Sequence, residues 1–299
     1  MSIRDGLLIA LGILSAAFTV LWALRLRADA RTAPAAPSHK VRFPTAAELG
    51  VGFITDFLDT LGIGSFATTT ALFKLLKLGP DEDIPGTLNV GHSIPTFLEA
   101  FIFIAIVAME GRTLVLMILA SVAGAWFGAG TVASWPRRKI QIGMGIALLA
   151  AAILFVMKNL DWFPPGGEAL GLSGALLAVG LIGNFFFGAL MTLGIGAYAP
   201  SMILVSLLGM NPVAAFPIMM GSCAFLMPTA SIHFIKKRRY AVGPSLGLTI
   251  GGAPAVLIAA YVVKSLPMTA LRWLVIVVVL YTATTMLRSA WTESSAPKS

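Results

Sequence analysis

The sequence predicts an all-α polytopic membrane protein. It reads as two inverted repeats, each a re-entrant broken-helix hairpin plus three transmembrane helices, with one extra N-terminal transmembrane helix. Three observations predict this. The chain is 58% hydrophobic and 11% charged over 299 residues, against about 25% charge in a soluble domain, and its mean hydropathy is +0.90. Apolar runs of about 18–25 residues, long enough to cross a bilayer, recur from end to end. The pentapeptide Thr60-Leu61-Gly62-Ile63-Gly64 returns as Thr192-Leu193-Gly194-Ile195-Gly196, 132 residues later. Continuous apolar runs argue against a β-barrel, whose strands alternate in short segments.

Residues 1–45 hold the first apolar run, 7–24, closed by Arg25 and Arg27. Basic charge follows the run and no small-residue cleavage site comes directly after it, so it reads as a retained span. Residues 25–42, with Pro34, Pro37, His39 and Lys40, read as a loosely ordered basic loop. The first repeat occupies 46–165. Short helices at 48–61 and 65–78 flank the glycine break, and at about 1.5 Å per residue neither crosses a bilayer alone. Pro80-Asp81-Glu82-Asp83 is a polar turn, and spans follow at 85–109, 114–134 and 140–157. Gly124 and Gly128 give the second of these a small-xxx-small face suited to close packing. The second repeat, 166–299, has apolar segments at 172–193 and 197–208, then spans at 212–234, 242–263 and 271–287. Pro217 lies 132 residues after Pro85, and Ser265-Leu266-Pro267 lies 131 after Ser134-Trp135-Pro136, so the register holds at three anchors.

Loop charges set the sense of the repeat. Arg137, Arg138 and Lys139 follow the second span of the first repeat, whereas Lys236 to Arg239 follow the first span of the second. Positive charge marks the cytoplasmic side. Equivalent loops thus fall on opposite sides, as inverted repeats require. An odd number of spans per repeat follows if each broken segment is a re-entrant hairpin. The competing arrangement makes each broken segment one long tilted span.

Helix breaks in a membrane are tolerated where the freed backbone faces protein or a polar cavity. Each glycine tip starts a half-helix, at Ser65 and at Ala197, whose free N–H groups and partial positive charge suit an anion. The predicted substrate site is therefore Gly62, Ile63, Gly64, Ser65 and Thr68 at one tip and Gly194, Ile195, Gly196, Ala197 and Ser201 at the other. Asn89 and Ser222 on the following helices are predicted to complete it. The plain alternative is that the glycines only allow close packing. Ionisable side chains within spans default to function. Asp56, Asp59, His92 and Glu99 are the candidates for a coupling proton or Na⁺. For the two aspartates the alternative is solvation at the membrane mouth or pairing with Lys74; for Glu99 it is a snorkelling basic partner.

Cys223 is the single cysteine, and His39, His92 and His233 show no ligand spacing, so no metal site or cofactor is expected. No nucleotide-binding fingerprint and no nucleophile–base constellation is visible, which points away from an enzyme. The net charge of +8 lies in loops between spans and is not a nucleic-acid signal.

At Gly52-Phe53, Leu61-Gly62-Ile63-Gly64 and Pro85, and again at Leu193-Gly194-Ile195-Gly196, Pro212 and Lys236 to Arg239, the chain resembles the sulfite exporter TauE/SafE family of permeases. The likeness covers roughly 48–290. It departs from the family where a third glycine is often found, since Ser65 and Ala197 stand there, and Glu110-Gly111-Arg112 replaces a basic loop. The resemblance implies a secondary carrier for a small sulfur-containing anion such as sulfite, thiosulfate or an organosulfonate, in an inner (plasma) membrane. The loop charges place the N-terminus outside and the C-terminus in the cytoplasm. An anion channel of the same fold and a non-transporting membrane scaffold are the rival expectations.

Overall fold

The computed structural model describes residues 2–31, 37–193, 198–261 and 268–294. Among these the chain is built from α-helices in the order α1 (Ile3–Asp29), α2 (Ala46–Thr60), α3 (Ser65–Leu76), α4 (Ile84–Ile106), α5 (Gly111–Val132), α6 (Arg137–Asn159), α7 (Gly174–Met191), α8 (Tyr198–Leu207), α9 (Ala215–Lys236), α10 (Val242–Tyr261) and α11 (Met268–Ser294). Eight of them, all but α2, α3 and α8, are long and apolar enough to cross a membrane. Ile13, Leu21, Phe127, Ile153 and Val277 are each at least 60% exposed, an apolar surface of the kind that faces lipid. The protein is a multi-pass membrane protein.

Most predicted elements lie within two or three residues of their expected ends. The 25–42 loop does not. Helix α1 continues to Asp29, where Arg25 and Asp29 form an i,i+4 ion pair at 3.1 Å, and a 3₁₀ turn occupies Pro37–His39. Leu26, Arg27 and Ala28 are good helix formers, and that local preference outweighs the charge. Thr45 opens α2 with a reciprocal capping box to Glu48, worth about 1 kcal/mol.

The two glycines of the first break have separate tasks. Gly62, at φ 85°, closes α2 in a Schellman turn: its N–H reaches Asp59 O at 2.8 Å, and the Ile63 N–H reaches Leu58 O at 2.9 Å. Gly64, at φ 94°, is the first residue before α3 and carries no side-chain cap. Gly194, Ile195, Gly196 and Ala197 lie outside the described residues, as does Ser265-Leu266-Pro267.

The ends of the bundle are chemically distinct. At one end, Ser38 Oγ donates to Asp83 at 3.1 Å, Lys74 pairs with Asp81 at 2.7 Å, and Gln141 donates to Asp81 at 2.8 Å. Arg238 reaches Asp29 at 3.7 Å and Arg239 donates to Trp135 O at 3.1 Å. The residues that precede α2 and those that follow α3 therefore lie together, beside the start of α6 and the end of α9. At the other end, Glu110 N–H donates to Leu170 O at 2.8 Å, Asn211 N–H to Ala169 O at 2.9 Å, and Arg272 to Asn159 at 2.6 Å. There the entry to α7 and the exit from α8 meet.

Packing exchanges the halves. Helix α2 lies along α10 and α7 along α5, while α4 meets α9 and α6 meets α11. Glycines set the close approaches. A Cβ on Gly52 would stand 2.6 Å from Gly247 O, and one on Gly128 2.7 Å from Ala189 O; at Gly124 and Gly188 it would overlap the facing main chain outright. The predicted Gly124/Gly128 face is thus the surface on which α7 rests.

Candidate functional site

Helix α2 carries Asp56, Asp59 and Thr60 on adjoining turns of its last stretch, and all three are buried. Helix α4 carries His92 and Glu99, seven apart and fully buried. Between them, His92 Nδ1 lies 2.7 Å from Asp56 Oδ1, and His92 Nε2 lies 2.9 Å from Thr69 Oγ1 on α3. An ionised carboxylate only accepts, so with Asp56 ionised the proton sits on Nδ1. Thr60 Oγ1 donates to Glu99 Oε1 at 2.8 Å. Ser65 Oγ, on the first turn of α3, donates to Asp59 Oδ2 at 2.6 Å. Asp56 Oδ2 and Glu99 Oε2 have no hydrogen-bond partner among the described residues. The Phe66 ring, centroid 5.9 Å from that of His92, covers the imidazole.

Neighbouring helices are shaped to admit this cluster. A side chain at Gly252 of α10 would collide with Asp56 Oδ2, so glycine there makes room for the carboxylate. Pro95, inside α4, leaves the Gly91 carbonyl without its helical partner. Thr249 Oγ1 from α10 donates to that carbonyl at 2.7 Å. The same contact holds α10 against the turn that carries His92.

The acids take neither of the alternative settings, and the polar residues beside them are engaged by the protein itself. Asp56 and Asp59 are neither solvated nor paired with Lys74, which is engaged by Asp81. Glu99 has Thr60, not a basic residue, as its partner. Ser65 and Thr68 were expected to offer hydroxyls to a ligand; Ser65 gives its proton to Asp59, and Thr68 donates to Gly64 O and Ser65 O within its own turn. Asn89 sits one turn before His92 and gives its amide to Pro85 O, leaving its Oδ1 without a partner among the described residues. Ser222 accepts instead from Asn184.

The second half offers no counterpart to the acids. At the 132-residue offset, Asp56 corresponds to Gly188, Asp59 to Met191, His92 to Ala224 and Glu99 to Ser231. Ser201, the counterpart of Thr69, is 1% exposed and its hydroxyl has no partner among the described residues. Asn184 of α7 is buried and bridges Met117 O at 2.6 Å and Ser222 Oγ at 3.0 Å. Sequence reasoning missed it, although a lone asparagine inside an apolar helix is a readable signal. Cys223 Sγ lies 3.4 Å from Met191 Sδ.

Gly64 is buried, yet no described atom stands within 4 Å of a Cβ built on it. Gly64→Ala should therefore cost about 1–3 kcal/mol through backbone strain alone, read as a fall in melting temperature of the purified protein.

No protein-family model matches the chain, and no match was found to a curated protein or to a solved structure.

Proposed function

We propose that this chain is a proton-coupled secondary carrier of the TauE/SafE kind, moving a small sulfur-containing anion such as sulfite, thiosulfate or an organosulfonate. One observation carries the reading. The N-terminal turn of α3, inside the bundle, already faces an acid: the carboxyl of Asp59, whose Oδ2 lies 2.6 Å from Ser65 Oγ. Helix N-termini favour negative charge and bind oxyanions. The tethered carboxylate and the substrate then compete for one place. Protonation of Asp59 releases the helix end, the anion takes it, and both cross together. Asp56, His92 and Glu99 surround Asp59 with the groups able to pass that proton on. Ser201, whose buried hydroxyl has no partner among the described residues, is the donor offered from the second half.

In this reading α2–α3 and α7–α8 are re-entrant hairpins of inverted repeats. Support comes from their mouths, which lie at opposite ends of the bundle, and from the exchange of partners between α2–α10 and α7–α5. The end carrying Arg42, Lys74, Arg137 and Lys236 to Arg239 is then cytoplasmic, so α1 enters from outside and α11 finishes inside.

Proteoliposomes test the proposal. An inward proton gradient should drive accumulation of sulfite or thiosulfate above its equilibrium level. High flux indifferent to the gradient would make the protein an anion channel. Absence of flux, with no thermal shift from sulfite, thiosulfate, sulfate or sulfoacetate, would leave a scaffold.

A further inference from the structure

We propose that the groove between α1 and α9 is a binding site for an anionic phospholipid, with an acyl chain along its walls and the phosphate on Arg25 and Lys236. The groove encloses about 460 Å³, within the range of about 300–1,000 Å³ typical of ligand sites. Leu14, Phe18 and Leu21 line one wall at helical spacing, and Ile232 and Ile235 line the other. It exists because α1 leans on α4 rather than on α9: Phe18 packs edge-on against Phe97 at 6.1 Å, and Gly12 faces Phe101. Pro228 and Thr229 add little bulk on the α9 side.

The charges choose the occupant. Arg25 and Lys236 are the charged side chains lining the groove, and both sit at its end nearest the basic face. Leu14 to Arg25 rises about 16 Å, roughly half of a hydrocarbon core of about 30 Å. The groove therefore follows one leaflet, from the interior to the headgroup level. Asp29 is the acid beside it, 3.1 Å from Arg25 and 3.7 Å from Arg238. One carboxylate thus faces Arg25 and Arg238, and Lys236 adds a further cation at the same end of the groove, which leaves an excess of positive charge for a phosphate. A zwitterionic headgroup would meet the same walls without that complement.

This proposal does not depend on the carrier reading. The test uses the full chain in mixed micelles, with lipid retention read by native mass spectrometry and stability by melting temperature. The wild type should retain phosphatidylglycerol about 10-fold more strongly than phosphatidylcholine, since each basic side chain near a membrane surface contributes about fivefold and Arg25 is shared with Asp29. Arg25→Gln with Lys236→Gln should reduce the preference to about threefold or less. Lys236→Gln alone, at an exposed side chain, should give a smaller loss. Ile232→Trp should weaken retention of both lipids by filling the groove, and Lys139→Gln, on a different basic turn, should change nothing. Millimolar inorganic phosphate should not displace the lipid. Equal retention of the two lipids by the wild type, a preference that survives the double substitution, or unchanged retention in Ile232→Trp would each overturn the assignment.

Discussion

Asp59→Asn should make anion binding independent of pH between about 5 and 8, whereas the wild type should bind more tightly as pH falls. The sign follows from the competition at α3. In the wild type the Asp59 carboxyl lies at the helix end beside Ser65; its ionised form holds that place and protonation weakens the hold, so in the proposed carrier acid frees the place for substrate. Asparagine keeps the size and a hydrogen-bonding oxygen but carries no charge at any pH. A charge at a helix N-terminus is worth about 0.3–1 kcal/mol at a surface and up to about 2 kcal/mol when partly buried. The wild-type affinity should therefore change by up to about 30-fold across the titration, and the variant should stay near the tight limit. Uptake by Asp59→Asn should no longer respond to an imposed proton gradient. The ligand for this measurement should be an alkylsulfonate, whose own charge is constant over the range. A variant with the wild-type pH slope would move the coupling role away from Asp59 and leave Glu99 or Asp56 to be tested in the same way.

The second large effect concerns stability. His92→Phe should cost about 3–5 kcal/mol, the usual penalty for stranding one member of a buried pair. Its imidazole is the partner of Asp56 Oδ1, and Asp56 Oδ2 already has no partner among the described residues. Phenylalanine fills the volume under Phe66 but removes the donor to Asp56 Oδ1 inside the bundle. Asp56→Asn combined with His92→Phe should recover much of the loss, because a neutral amide is far cheaper to bury. Melting temperatures of the single and double variants in one detergent measure this directly. Equal destabilisation of the two would mean that packing around His92, and not the Asp56 charge, is what the substitution damages.

These expectations draw on unequal sources. The helices and their breaks follow from local rules. Apolar length marks a span, Gly62 and Gly64 mark the places where α2 must stop and α3 must begin, and Thr45 with Glu48 marks a start. Such signals act within a few residues and survive any tertiary arrangement. The linker after Arg25 was less legible, because basic charge says which side of a membrane a segment prefers and nothing about whether it stays helical.

The sequence by itself determined that this is a multi-pass helical membrane protein with a repeated glycine break, and that its first half alone carries acids inside apolar segments. Tertiary structure alone decided who meets whom. His92 lies 36 residues from Asp56, and Glu99 lies 39 from Thr60. A helix that is apolar nearly all round has no face that periodicity can single out. The contact is chosen instead by where main chains can approach: Gly52 against Gly247, Gly252 opposite Asp56, and Thr249 on the carbonyl that Pro95 leaves free. Those clearances turn α2 and α4 so that Asp56, Asp59, His92 and Glu99 converge beside the first glycine break, and steric fit between distant segments is a property that no local window of sequence contains.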